Sequence, residues 1–196
     1  MFNIVIFGPP GSGKGTQSVK ISEKYQLKHL STGDVLREEI KSGSVLGKDI
    51  ARLIDTGNFV PDEMIQQMVE AILVENKDGN GIIFDGFPRT VKQAAWLKST
   101  LENKLGWKVN LLLCLDIAED ILTHRIMERG KDSGRADDGD EKIIENRIKV
   151  YHEKTKPVVE FYEVQGKLKT VNGFGSMDEV FAGICEVIDA KKDECK

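Results

Sequence analysis

Directly after the apolar run Phe2–Phe7 the chain reads Gly8-Pro9-Pro10-Gly11-Ser12-Gly13-Lys14-Gly15-Thr16. This is Gly-x-x-x-x-Gly-Lys with a hydroxyl residue two places on, and it restricts the chain to folds in which a strand hands over to a helix through a wrapped loop. Polyphosphate oxygens require several converging N–H donors, and only a backbone with little Cβ bulk curls that closely around them. The helix expected to start near Gly13 adds its unpaired amides and dipole. Lys14 supplies a mobile positive charge for the β- and γ-phosphates, and Thr16 stands near the metal or α-phosphate. Such a loop specifies a nucleoside triphosphate but no particular reaction.

The rest of the chain supplies the matching architecture. Phe2–Phe7, Ile82–Phe84, Val109–Leu115 and Leu168–Val171 are short, branched-rich runs of the kind buried on both faces of a sheet, and Lys28–Leu30 signals a fifth strand more weakly. Helical periodicity fills the intervals, so the prediction is α/β: a five-stranded parallel sheet flanked by helices. Helices are expected over 90–104, 118–129 and 141–164, with Pro157 breaking the last near Lys156. Residues 31–60, with Gly43, Gly47 and Gly57, and the polar stretch 130–140 read as insertions into one core made of 1–30, 61–129 and 141–196. The second has almost nothing apolar to pack and is expected to be a surface loop, a candidate lid.

The 196 residues carry a net charge of −4, which excludes broad nucleic-acid binding through a basic surface and requires any phosphate site to gather its cations locally. Arginine occurs only at positions 37, 52, 89, 125, 129, 135 and 147, several of them beside turn motifs. Cys114, Cys185 and Cys195 show no metal-ligand spacing and read as free thiols. No uninterrupted apolar run is long enough to span a bilayer, and the opening strand lacks a basic leader, so the cytoplasm is expected. His29, His124 and His152 fall in no motif and are expected to be surface or packing residues. At the end of the strand Ile82–Phe84 stands Asp85, where a carboxylate faces the crevice of a parallel sheet and can hold Mg²⁺ through its waters.

The phosphate loop followed by Gln17, then Leu30-Ser31-Thr32-Gly33-Asp34-Val35-Leu36-Arg37, then Asp85-Gly86-Phe87-Pro88-Arg89 with Gln93, resembles the adenylate kinase family of nucleoside monophosphate kinases. Arg129-Gly130, Ser133-Gly134-Arg135 and Arg147 extend the resemblance over essentially the whole chain. It implies that Gly11, Ser12, Gly13, Lys14, Gly15 and Thr16 hold the ATP phosphates, with Arg129 and Arg125 clamping them and Gly175 lying against the adenine. It implies that Thr32, Arg37, the backbone of Asn58, Phe59 and Val60, the segment Gly86, Phe87, Pro88 and Arg89, and Gln93 hold AMP. Arg135 and Arg147 would span the transferring phosphoryl group and the AMP phosphate. Lys14, Arg89, Arg129, Arg135 and Arg147 are then the catalytic set, and Asp85 the Mg²⁺ residue.

The resemblance further implies a mobile monophosphate-binding insertion (31–60), a short lid (130–140) without the Cys or His ligands for zinc, and a monomer working on ATP, AMP and ADP. Eleven residues separate Arg135 from Arg147, one more than the family spacing, which would shift the reach of Arg147. The chemistry agrees with such a set. Phosphoryl transfer needs in-line positioning and positive charge over the equatorial oxygens, which rigid guanidinium forks provide. The phosphate of AMP is itself an ionised nucleophile, so no base is required. The alternative is a UMP/CMP kinase of the same fold; Thr32 and the amide of Gln93, which donates and accepts at once, favour adenine.

Overall fold

The structure is a computed structural model describing residues 1–55, 59–133 and 135–194, apart from the side chains of Asp132 and Ala136. The five strands are β1 (Asn3–Phe7), β2 (Lys28–Ser31), β3 (Ile82–Asp85), β4 (Val109–Asp116) and β5 (Leu168–Asn172). They pair in parallel in the order β2-β3-β1-β4-β5. The helices are α1 (Lys14–Tyr25), α2 (Thr32–Lys41), α3 (Val45–Asp55), α4 (Asp62–Glu75), α5 (Val91–Thr100), α6 (Leu122–Ser133), α7 (Glu141–Val150), α8 (Pro157–Glu163) and α9 (Met177–Asp193).

The continuous apolar runs of β1, β3 and β4 follow from burial on both sides. At the edges of the sheet β2 and β5 keep exposed residues, so the expected two-sided burial does not hold for Leu168–Val171. Alternation along β1 sends Val5 and Phe7 to one face, with Phe84, Leu112, Leu97 and Tyr162. Ile4 and Ile6 go to the other, with Ile21, Leu111, Leu113 and Ile184. From β1 at the centre the chain leaves toward β2, returns through β3 and crosses to β4, so the C-terminal ends of β1 and β3 open a crevice where the chain direction reverses.

Several helix boundaries differ from expectation for local reasons. Thr90 caps α5 through its hydroxyl, which accepts from the Gln93 amide, and a π-helical turn at Leu101–Leu105 carries the helix onward. The predicted helix 118–129 begins as a 3₁₀ turn at Glu119–Ile121, and α6 runs on to Ser133, so Gly130–Ser133 is helical rather than loop. Pro157 interrupts the expected long helix as predicted. It is the first residue of α8, and ahead of it the chain widens into a π-helical turn at Tyr151–Thr155, closed by Lys156 N–H donating to the Tyr151 carbonyl. The segment 31–60 is better packed than its glycines suggest: Leu36, Ile50 and Val60 all belong to the main core. Gly57, Asn58, Gly134 and Cys195 lie outside the described residues.

At the opposite end of the sheet from the crevice, one buried side chain ties three strands. Asn3 accepts from Ile82 N–H through Oδ1 at 3.0 Å and donates through Nδ2 to the Lys108 carbonyl at 3.0 Å. Its own N–H donates to Asn110 Oδ1 at 2.9 Å. Asn3→Ala would leave a buried donor and a buried acceptor unpaired, so we expect a loss of about 2–3 kcal/mol in urea unfolding with the slope unchanged.

Candidate active site

The loop after β1 folds as its glycines require. Gly13, at φ +86°, lies in the left-handed region where a Cβ is disfavoured, and it caps α1. Lys14 curls back over the loop, donating from Nζ to the carbonyls of Gly8 at 2.6 Å and Pro9 at 2.8 Å. Burial, set against the attraction of Asp85 and joined by repulsion from Arg89, Arg129 and Arg147, lowers its pKa to about 8. An arriving anion would reverse that shift. Across the crevice, Gly86 adopts φ +78°, and a Cβ there would stand 2.8 Å from Thr32 Oγ1 and 3.0 Å from an Arg89 nitrogen. Its bare backbone therefore lets Thr32 donate to the Gly86 carbonyl at 3.0 Å and Arg89 Nε to the same oxygen at 2.7 Å.

Loop and turn share a cavity of about 580 Å³. It is lined by Gly11, Gly13, Lys14, Gly15 and Thr16 on one side and by Thr32, Arg37, Phe59, Val60, Asp85, Gly86, Phe87, Pro88, Arg89 and Gln93 on the other. Arg125, Arg129, Arg135 and Arg147 complete the wall, so Arg147 reaches the cavity despite the extra residue before it. Ser12 lies beneath the surface, its hydroxyl 3.4 Å from Lys14 Nζ. Gly175 does not line this cavity; it sits at φ +112° just before the Ser176–Glu179 capping box of α9. Gln93 is buried with both amide atoms engaged, Oε1 accepting from Arg89 N–H at 2.7 Å and Nε2 donating to Asp62 at 2.6 Å.

One residue from outside the motifs stands at the wall of this cavity. His29 lines it, with Nε2 3.5 Å from Asp85 Oδ2. Strand alternation carries the signal, because His29 shares a face with Ser31, and Ser31 pairs in register with Asp85.

The segment read as a solvated loop holds the other surprise. Asp138 is fully buried. Arg129 donates to it from Nε at 2.7 Å and Nη2 at 2.8 Å, a bidentate fork, while Arg147 donates from Nη1 at 2.6 Å. Arg147 also reaches the carboxylate of Asp137 at 2.8 Å. No apolar pattern announces this burial, since the packing partner is charge. Two guanidinium groups of the wall are thus held by two neighbouring carboxylates. Burial pushes the Asp138 carboxyl upward, but the hydrogen bonds and charges of Arg129 and Arg147 outweigh it and hold the group below the usual carboxylate range.

Arg89 and Arg135 are less well compensated. Burial first, then Arg147 beside Arg89 and Arg37 beside Arg135, lower both. Breaking the one strong compensation has a defined cost. Asp138→Asn would leave the two guanidinium groups facing an uncharged amide, and with Arg129 partly exposed we expect a loss of about 2–3 kcal/mol. Because the folded carboxyl is depressed, its stabilisation is complete above about pH 4 and disappears as pH falls through the folded value. Thermal melts from pH 7 down to pH 3 should show the wild type losing stability faster than the variant.

The comparisons with known proteins agree with this geometry. A family model described as adenylate kinase matches residues 6–167. Curated proteins named adenylate kinase from Bacteroides thetaiotaomicron, Flavobacterium psychrophilum and Porphyromonas gingivalis are 51%, 45% and 43% identical to this chain over 189 residues each. Those alignments cover 96% of this chain and 99%, 99% and 96% of the relatives. With a family model spanning most of the chain and relatives of this identity over nearly their whole length, the chain belongs to the adenylate kinase family.

Proposed function

We propose that this cavity performs the reaction of its family, the reversible transfer of the terminal phosphoryl group of ATP to AMP, giving two ADP, and that its residues divide the work as their positions suggest. The observation that carries this reading is the joining, in one crevice, of a phosphate loop and a second framed pocket with arginines between them. The loop amides of Gly11 to Thr16 receive the ATP phosphates, and Lys14 exchanges the Gly8 and Pro9 carbonyls for phosphate oxygens. Arg125 and Arg129 bind the triphosphate, with the backbone of Gly175 toward its adenine. Thr32, Arg37, the chain at Asn58 to Val60, Gly86 to Arg89 and Gln93 bind AMP, and Arg135 and Arg147 bridge to the group in flight. The phosphate of AMP attacks directly, so the side chains orient and neutralise but move no proton.

Mg²⁺ fits the donors present. Asp85 is a largely shielded carboxylate that faces the cavity beside Gly15, and Mg²⁺ favours few protein carboxylates and retained waters. Asp85, through water, and Thr16 would hold it, and bound there it would neutralise charge on the β- and γ-oxygens. We place the enzyme in the cytoplasm as a monomer, with no zinc and no nucleic-acid partner. Among the described residues no helix is long and apolar enough to cross a membrane.

Acceptor choice tests the assignment of Thr32 and Gln93. Each buried polar group left unpaired by a wrong base costs roughly 1–3 kcal/mol, so kcat/KM for AMP should exceed that for UMP at least ~30-fold in a coupled ADP assay. Comparable values would favour the UMP/CMP reading.

We also propose that 31–60 and 130–140 close over the bound nucleotides. Arg37 and Arg135 stand on these two segments and repel each other until phosphate arrives. Closure excludes the water that would otherwise take the phosphoryl group. A ligand joining two adenosines through a phosphate chain should therefore lower the radius of gyration in small-angle scattering and protect amides of both segments from exchange. Unchanged scattering and exchange would rule closure out.

A further inference from the structure

Arg89 is held in an unusual way. It is half-buried, its charge is opposed by Arg147 and Arg37 and favoured only at a distance by Asp85 and Asp137, and among the described residues no carboxylate lies within ion-pair distance of it. A cation so placed needs compensation that does not consume the donors it must offer. Two neighbours provide it. The Gly86 carbonyl accepts from Nε, and the ring of Phe59 lies against the guanidinium, with Arg89 Cζ 5.4 Å from the ring centroid. The same ring has Lys154 Nζ 5.8 Å from its centroid, a residue of the π-helical turn ahead of Pro157. On its C-terminal side Phe59 is anchored by Val60, which is buried, and by Pro61, which caps α4.

We infer that Phe59 is a positioning residue for Arg89, its ring fixing the guanidinium over the AMP pocket while leaving the terminal N–H groups free. The inference rests on the AMP reading above and deepens it, because it assigns a task to the side chain where the resemblance used only the backbone. The negative ring face attracts the cation and shields it from its like-charged neighbours. A carboxylate in the same place would occupy the N–H edges and compete with the phosphate for them. An aliphatic side chain would fill the space without opposing the charge. Of these three side chains only the ring stabilises the half-buried cation and leaves its terminal N–H groups open.

The test is steady-state kinetics of the full chain with ATP and AMP, in the wild type, Phe59→Leu and Phe59→Tyr, with AMP binding measured separately by calorimetry. Leucine keeps apolar bulk and removes the ring face; tyrosine keeps the ring. For Phe59→Leu we expect KM for AMP to rise about 3- to 30-fold, the AMP dissociation constant to rise in parallel and KM for ATP to stay near wild type. Phe59→Tyr should restore the wild-type KM for AMP. Should the leucine variant melt early, Phe59→Met replaces it with the same expectation. A leucine or methionine variant with wild-type KM for AMP overturns the inference, and so does a tyrosine variant no better than leucine. Failure of the wild type to phosphorylate AMP would instead overturn the assigned reaction, so the two failures are distinguishable.

Discussion

Crowding of positive charge in one crevice governs this structure. Lys14, Arg37, Arg89, Arg125, Arg129, Arg135 and Arg147 all line a cavity of about 580 Å³ on a chain whose net charge is −4. Burying several cations together is unfavourable, and the cost falls only where each finds a counter-dipole, a carboxylate or a π face. The fold supplies one of each: backbone carbonyls of the loop for Lys14, the fork-and-carboxylate network of Asp138 for Arg129 and Arg147, and the Gly86 carbonyl with the Phe59 ring for Arg89. The depressed pKa of Lys14 and the downward shifts of Arg89 and Arg135 arise first from burial and then from repulsion among these cations.

The parallel sheet is what makes the crowding possible. Strands buried on both faces have little freedom to slip, and the register that pairs Ile6 with Asp85 and Ser31 with Asp85 places the carboxylate beside the loop and the α2 cap together. Ser31 caps α2 by accepting from the Asp34 amide, and from there Thr32 reaches Gly86 and Arg37 reaches Asp34. Arg125, Arg129 and Arg147 arrive on α6 and α7, and Asp138 ties the two helices together through Arg129 and Arg147. The turn at Ala136–Asp138 also touches α3.

Much of this was legible in the residues. The loop motif, the strand runs and the Asp85-Gly86-Phe87-Pro88-Arg89 turn are local signals whose meaning does not depend on distant parts, because backbone conformation and strand burial are set within a few residues. The break before Pro157 was legible for the same reason, since a missing amide donor acts where it stands. The helical extension of α6 to Ser133 was less so, because its polar composition fits a loop and a short helix equally well. His29 needed the pairing of β2 with β3 to be known before its side could be assigned.

The sequence by itself determined the strand–loop–helix that binds phosphate, the α/β class and the family, because each rests on local steric rules or on motifs carried in order along the chain. Tertiary structure alone decided that Asp138, in a stretch with almost nothing apolar, would be fully buried, and that Phe59 would face Arg89 across 30 residues of chain. Those placements depend on which charges are brought together in space. Charge compensation is a property of the assembled crevice: the same aspartate buried without Arg129 and Arg147 beside it would destabilise the fold.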